Sequence, residues 1–193
     1  MRGAGPAILR SSARECLRAF DCAPLAQPGS PRHPRNSRVP REISGLARPM
    51  LRFCCLGSGS EGNALVVESR DGLFATRVLV DNGFKPKQLA ARLARAGLAL
   101  DDIDAVFVTH EHSDHADGVA ALLERRSIPL FATRGTAIAA RLDSAGADLR
   151  LLRAGVAVEL GALRIEPFAV PHDAGEPVQF VFDDGARRFG LLT

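Results

Sequence analysis

The sequence has 193 residues, of which 46% are hydrophobic and 24% are charged, with a formal net charge of +3. This length permits one ordinary domain, and the apolar fraction suffices for a sizeable core. No run approaches the ~18 uninterrupted apolar residues that mark a transmembrane helix, so we expect no membrane partner.

Residues 1–49 differ in composition from the rest of the chain. They hold nine arginines and three acidic residues, a net of +6, and seven of the twelve prolines. Residues 50–193 carry sixteen basic and nineteen acidic residues, a net of −3. Because no apolar periodicity persists in the first segment, we predict that it is disordered and that residues 50–193 form the folded domain.

Three explanations of this Arg/Pro-rich leader stay open: translation from an upstream codon with the natural start at Met50, an organellar transit peptide, and a basic tail for nucleic acid. The abrupt change of composition at a methionine favours the first. The 23 arginines against two lysines indicate a GC-rich, bacterial genome. The four cysteines form no Cys-x-x-Cys pair, which is consistent with a reducing cytoplasm.

Apolar periodicity predicts an α/β chain in which strands surround and separate helices. The expected strands are 51–56, 64–69, 77–81, 104–109, 128–132, 156–160, 163–171, 178–183 and 187–192. The expected helices are 86–96, 116–126 and 136–144.

The run Val-Thr-His-Glu-His-Ser-Asp-His at 108–115 holds most of the chemical information. Its potential metal ligands are His110, His112, Asp114 and His115, and it lies between a predicted strand and a predicted helix. On an extended or turning segment His110 and His112 can converge on one ion, whereas Asp114 and His115 reach another point. One loop can therefore serve two metal ions.

Imidazole and carboxylate ligands suit zinc, and also manganese or iron. An ion lowers the pKa of its bound water from about 15.7 to roughly 7, which yields hydroxide at neutral pH. A helix-capping role for Asp114 is a simpler alternative for that residue alone. Four ligand-type side chains within six residues nevertheless favour a metal centre.

A Gly/Ser-rich loop over residues 57–63 follows the first predicted strand of the domain. Its Ser58, Ser60 and Asn63 are candidate residues lining the site, because glycines let a backbone approach a phosphate or a metal centre. The loop lacks the Gly-Lys-Ser/Thr ending of a P-loop. A tight hairpin connection explains the same glycines equally well.

The His-x-His-x-Asp-His run after a buried strand resembles the hallmark of the metallo-β-lactamase superfamily. The segments Leu-Gly-Ser-Gly-Ser-Glu-Gly-Asn at 56–63 and Pro-His-Asp-Ala-Gly-Glu-Pro-Val at 171–178 resemble its bacterial YycJ-like (WalJ-like) branch. Gln179-Phe180 departs from the Gly-Phe of that pattern. The resemblance covers about residues 50–193 and implies the first half to two-thirds of an αββα sandwich.

By this resemblance His110, His112 and His172 would bind a first ion, and Asp114 and His115 a second. Asp114 would also act catalytically by orienting the hydroxide. Asp81, in the Asp-Asn-Gly that ends an early strand, would orient the ligand loop. A plain strand-terminal turn is the alternative reading of Asp81.

The family's dinuclear site has two further ligands, a bridging aspartate and a late histidine. The chain ends at Thr193, where the strand leading to that aspartate is expected. We therefore expect a fragment with exposed apolar faces, low solubility and little or no activity of its own.

The resemblance implies a metal-dependent hydrolase of the phosphodiesterase or DNA exonuclease type, with nucleic acid or another phosphodiester as its partner. Alternatives are a hydrolase of another ester (a thioester or lactam), a mononuclear-iron sulfur dioxygenase and an inactive fragment. The acidic domain weakly opposes a nucleic-acid substrate, although two divalent ions offset charge locally. The cations Lys85, Lys87, Arg92 and Arg95 are either backbone contacts or an ordinary solvated helix face.

Overall fold

The computed structural model describes residues 7–9, 50–144 and 148–193. Its strands are β1 (Ala7–Leu9), β2 (Met50–Gly57), β3 (Ala64–Asp71), β4 (Phe74–Val80), β5 (Ala105–Phe107), β6 (Leu130–Thr133), β7 (Leu149–Leu152), β8 (Val158–Leu160), β9 (Leu163–Ala169), β10 (Val178–Asp183) and β11 (Arg188–Leu191). Its helices are α1 (Pro86–Arg95), α2 (Ser113–Ala116), α3 (Val119–Leu123) and α4 (Arg134–Ala139), with 3₁₀ turns at Leu100–Asp102 and Leu142–Ser144. None of these helices is long and apolar enough to cross a membrane.

The strands form two sheets. The first has the order β2-β3-β4-β5-β6-β7, and the second has the order β1-β11-β10-β9-β8. In the first sheet β2, β3 and β4 are antiparallel, whereas β4 to β7 are parallel neighbours. Parallel neighbours require crossover connections, and α1 to α4 lie in those connections. The carboxyl ends of β4, β5 and β6 consequently meet at one edge of the sheet.

Two apolar cores separate three layers. One core joins the first sheet to the helices, and it includes Val66, Leu89 and Val119. The other lies between the two sheets, where the Phe107 ring stacks on Phe131 at 4.4 Å and meets Phe180 edge-on at 5.6 Å. Alternate side chains of a strand point to opposite faces, so each central strand of the first sheet contributes to both cores.

These layers confirm the predicted α/β class and three of the four layers of an αββα sandwich. In the described ranges every α-helix packs on the first sheet, and none covers the outer face of the second. Most predicted strands are present with ends displaced by a few residues. The strand β7 was not predicted, because its exposed Arg150 and Leu151 break the inward-facing pattern.

The predicted helix 116–126 is wrong in its continuity, since α2 and α3 are separate short helices. Gly118 lies at the break, and a Cβ there would be 2.0 Å from the Phe84 carbonyl oxygen. This close approach of two backbone segments lies at the interruption of the helix. The helix α2 also begins earlier than predicted, at Ser113 within the run 108–115. The predicted helix 136–144 is likewise an α-helix followed by a 3₁₀ turn.

Within residues 1–49, which we predict to be disordered, the structure describes Ala7–Leu9, and these residues pair in parallel with β11 along one edge of the second sheet. A run of three residues is too short to show the alternation typical of a strand. The pairing depends instead on the hydrogen-bonding edge that β11 presents. The rest of the leader lies outside the described residues.

Candidate metal centre

The run of candidate ligands at residues 108–115 (the ligand run) begins directly beyond β5, at the edge where the parallel strands end. His110 and His112 lie on extended chain, and His112 precedes α2 with φ −58° and ψ 147°. Asp114 and His115 occupy the first turn of α2. The change from extended to helical chain within the run is what separates the two pairs of side chains.

Three histidines converge at this edge. Ligand nitrogens of His110, His112 and His172 all lie within 4.8 Å of one another. The His172 ring, from the segment between β9 and β10, is 4.6 Å from that of His110 and 4.9 Å from that of His112. His110 is buried, His112 half-buried and His172 exposed, so the cluster opens to solvent on one side. Three imidazoles with an open side fit a divalent transition-metal ion.

His110 is held in the neutral form that binds metals. Burial, and next the nearby charge of His115, lower the pKa of His110 to about 4. Its Nδ1 lies 2.9 Å from the Thr109 hydroxyl, which also lies 2.8 Å from Asp81 Oδ2. A hydroxyl has one proton, and the carboxylate must receive it; the Thr109 oxygen therefore accepts from Nδ1–H of His110. This tautomer leaves Nε2 of His110 as the ligand atom.

Asp81 is a buried hub behind the histidines. Besides the Thr109 hydroxyl, it accepts hydrogen bonds of 2.8 Å from the Thr109 amide and from His115 Nδ1. Its φ of 58° is in the left-handed region, where Asp is one of the few tolerated residues. Burial acts to lower the pKa of His115, but the hydrogen bond and charge of Asp81 raise it above its usual value.

Asp114 and His115 form a second, adjacent pair. His115 Nε2 lies 3.4 Å from Asp114 Oδ2, and its ring centroid is 4.1 Å from that of His110. The Asn63 side-chain amide contacts both groups, at 2.8 Å from Asp114 Oδ2 and 3.1 Å from His115 Nε2. A donor amide thus lies against the two atoms that would face a second ion.

The Gly/Ser-rich loop contacts the candidate ligands through Asn63. Ser58 and Ser60 are exposed and line a groove of about 560 Å³ on the far side of the loop. The Phe84 ring accounts for two of the loop glycines, because a Cβ at Gly57 or Gly62 would lie 2.6 Å from it. Of the three predicted site-lining residues, Asn63 contacts the ligand residues directly. Ser58 also lines a small cavity of about 50 Å³ together with Asn63 and Asp81.

The chain matches the β-lactamase superfamily domain over residues 76–193. It belongs to this superfamily. Exodeoxyribonuclease YycJ from Bacillus anthracis is 34% identical over 146 residues, which cover 74% of this chain and 54% of that protein. A hydroxyacylglutathione hydrolase from Rhodopseudomonas palustris is 35% identical over 105 residues, 54% of this chain and 38% of that protein.

Solved structures confirm the fold. The Rm3 metallo-β-lactamase superposes with a TM-score of 0.54 at 21% identity, covering 72% of this chain and 56% of that one. The chain spans about half the length of the curated relatives it first matches (54%). The predicted metallo-β-lactamase fold and YycJ-like resemblance are therefore confirmed, and the chain is a hydrolase-superfamily member with a histidine cluster suited to a metal.

Two contacts of this superfamily member were not predicted from the sequence. Thr109 links Asp81 to His110, and the only signal was a hydroxyl residue directly before the first histidine. Gly83 permits the Asp114 backbone to approach, since a Cβ at Gly83 would be 2.0 Å from the Asp114 carbonyl oxygen. In the Asp-Asn-Gly turn, the sequence pattern predicts a role for Asp81 and gives no signal for Gly83.

Proposed function

We propose that the protein is a metal-dependent phosphodiesterase of the DNA exonuclease type. The observation that carries this is the convergence of His110, His112 and His172 in a chain 34% identical to an exodeoxyribonuclease. The three imidazoles would hold one divalent ion, most suitably zinc, with manganese or iron as chemically acceptable substitutes. Asp114 and His115 would contribute to a second ion.

A bound ion would supply Lewis acidity and lower the pKa of coordinated water to roughly 7. Asp81 keeps His115, and through Thr109 also His110, in one orientation and one tautomer. Asp114 is only partly exposed beside the cluster, where its carboxylate can orient an attacking water. Asn63 can shift from the Asp114–His115 pair when that pair engages an ion, because its loop is exposed on the other side.

The groove beyond the loop supports an anionic polymer as substrate. Arg92 and Arg95 of α1 line it, and within the described ranges neither forms a salt bridge. Arg92 stacks 3.9 Å above the Phe84 ring and donates to the Leu56 carbonyl, so its position is fixed. Asn63 connects the groove loop to the metal centre. The arginines would offset the charge of a strand lying in the groove, and a strand that continued past Asn63 would bring a phosphodiester to the histidines.

The substrate class is tested by giving the full chain, with added Zn²⁺ or Mn²⁺, end-labelled duplex DNA, bis-p-nitrophenyl phosphate, a thioester and nitrocefin. Because little activity is expected of these 193 residues by themselves, we expect slow, stepwise release of nucleotides from DNA, and none from the His110→Ala variant. The match to a hydroxyacylglutathione hydrolase favours thioester hydrolysis as the second candidate. If the thioester is hydrolysed and the DNA is left uncut, thioester hydrolysis replaces phosphodiester hydrolysis as the proposed function.

DNA binding is measured separately, in EDTA, by fluorescence anisotropy of a labelled single strand. Arg95→Ala should weaken binding and reduce the slope of log K against log salt by about 1. Arg125→Ala, at an exposed position just after α3, removes the same charge elsewhere and is the matched control. If the two variants weaken DNA binding equally, the groove is not where DNA binds.

A further inference from the structure

The third histidine of the cluster is carried by a segment that has no regular structure. Residues 170–177 connect β9 to β10, and most of them, His172 included, are exposed. An exposed loop of this kind is normally mobile. The His172 ring nevertheless lies within 5 Å of two histidine rings from a different part of the chain. Something outside the loop must therefore fix its position.

Two glutamates hold this loop in place: Glu111 from the run 108–115, and Glu176 from the loop itself. Glu111 Oε1 accepts a hydrogen bond of 2.5 Å from the Gly175 amide. Glu176, within the loop, accepts one of 2.8 Å from the Gly135 amide, and its carbonyl oxygen accepts one of 2.7 Å from the Thr133 hydroxyl. The Glu176 contacts join the loop to α4, whereas the Glu111 contact joins it to the ligand run.

Glu111 is the more informative of the two, because it lies between His110 and His112 in the chain. Any movement of its carboxylate is coupled to both ligands, and its bond to Gly175 ends three residues from His172. A Cβ at Gly175 would lie 3.3 Å from Glu111 Oε1, so a glycine there leaves room for the short bond. The Asp173 carbonyl oxygen of the loop also lies 3.2 Å from His112 Nε2, from which it can accept a hydrogen bond.

The second oxygen of Glu111 is chemically unusual. Oε2 is buried and has no hydrogen-bond partner within the described residues. A buried carboxylate oxygen without a donor is costly. A cation held by the neighbouring imidazoles would offset that cost by Coulomb attraction. The Glu111 side chain is thus arranged to favour an occupied centre as well as to hold the loop.

We propose that Glu111 is a positioning residue that fastens the His172 loop to the metal centre. The inference rests on the metal-dependent function proposed above. Without the Glu111–Gly175 bond, only the Glu176 contacts and the His112–Asp173 contact would restrain the loop. Part of the ordering of His172 would then occur at the moment of ion binding, which lowers the affinity for the ion. Hydrogen-bond partners behind metal ligands typically contribute about 10- to 100-fold in metal affinity.

The test is a Co²⁺ titration followed by absorbance, with competing Zn²⁺, on the full chain. We expect Glu111→Ala to bind about 10- to 100-fold more weakly, and Glu111→Gln, whose amide oxygen can still accept from Gly175, to lie between it and wild type. Adding Glu111→Ala to His172→Ala should cost nothing more, because the two act through one contact. Glu124→Ala, at an exposed position capping α3, is the control.

Hydrogen exchange in EDTA reports the contact without any ion, and in Glu111→Ala the Gly175 amide should lose protection while the β5 amides keep theirs. Unchanged exchange and unchanged Co²⁺ affinity in a folded Glu111→Ala variant would overturn the inference alone. Additive losses in the double variant would also overturn it. A wild-type chain that takes up no ion would instead overturn the proposed function, and this inference with it.

Discussion

Glu68 and Asp81 are two buried carboxylates in neighbouring parts of the first sheet, each about 1% exposed, and they have different partners. Glu68 on β3 receives three guanidiniums, from Arg52, Arg70 and Arg77. Asp81, just beyond β4, receives the His115 imidazole and both hydrogen-bond donors of Thr109. Arginine is always protonated and binds no metal, whereas histidine has a second nitrogen for a ligand. Burial and a full set of hydrogen-bond donors are therefore common to both carboxylates, and the identity of the donors is what makes Asp81 the candidate for supporting a metal centre.

The largest expected effect is the loss of stability when either carboxylate is removed. Glu68→Ala leaves three guanidiniums around an empty position, and Asp81→Ala leaves a buried imidazole, a hydroxyl and an amide without an acceptor. We expect each to lower the free energy of unfolding by about 3–5 kcal/mol, measured by urea denaturation in EDTA. A loss below about 1 kcal/mol at either residue would show that the surroundings rearrange to satisfy the exposed donors.

Substitutions at the two carboxylates should have different effects on the affinity of the protein for a metal ion. Asp81→Asn should weaken Zn²⁺ or Co²⁺ binding by about 10- to 100-fold, because it alters the tautomer and orientation of His115 and, through Thr109, of His110. Glu68→Gln removes the same charge from a residue that contacts no histidine and should leave the affinity unchanged. Equal weakening in both variants would mean that the ions respond to overall charge rather than to the hydrogen bonds.

The sequence predicts the candidate metal ligands and Asp81 behind them, but it does not predict Glu68 or the contacts between distant segments. His110, His112 and His172 were predicted to share an ion and do converge, because ligand spacing and the motif around His172 are written in the chain. Glu111 was not predicted, because its partner Gly175 is 64 residues away. Likewise the break at Gly118 depends on a backbone contact with Phe84. Such contacts between distant segments leave no period in a local window.

Glu68 should contribute to the loss of stability at acidic pH, in addition to the buried His110, whose pKa is lowered to about 4. Burial acts to raise the pKa of Glu68, but hydrogen bonds from Arg70, Arg52 and Arg77 hold the pKa below its ordinary value of 4.5. A carboxyl with a depressed folded-state pKa contributes stability that is present above its unfolded pKa and is lost as the pH falls through the folded-state pKa. Denaturation of the wild type and Glu68→Gln between pH 7 and pH 3 should therefore show a steeper acid loss in the wild type. Parallel curves would assign the acid loss to other groups.

The smallest expected effect is at Thr109, which passes the influence of Asp81 to His110. Thr109→Val keeps the shape but removes the hydroxyl, so His110 Nδ1 loses its acceptor and Asp81 keeps two of its three donors. We expect a loss of about 1 kcal/mol in unfolding free energy. Metal affinity should fall less than in Asp81→Asn, since His115 stays bound to Asp81. Thr109→Ser, which restores the hydroxyl, should recover the affinity. If it does not, the packing of the Thr109 methyl group, rather than its hydrogen bond, orients His110. Asp81 would then orient His115 alone and none of the three clustered histidines.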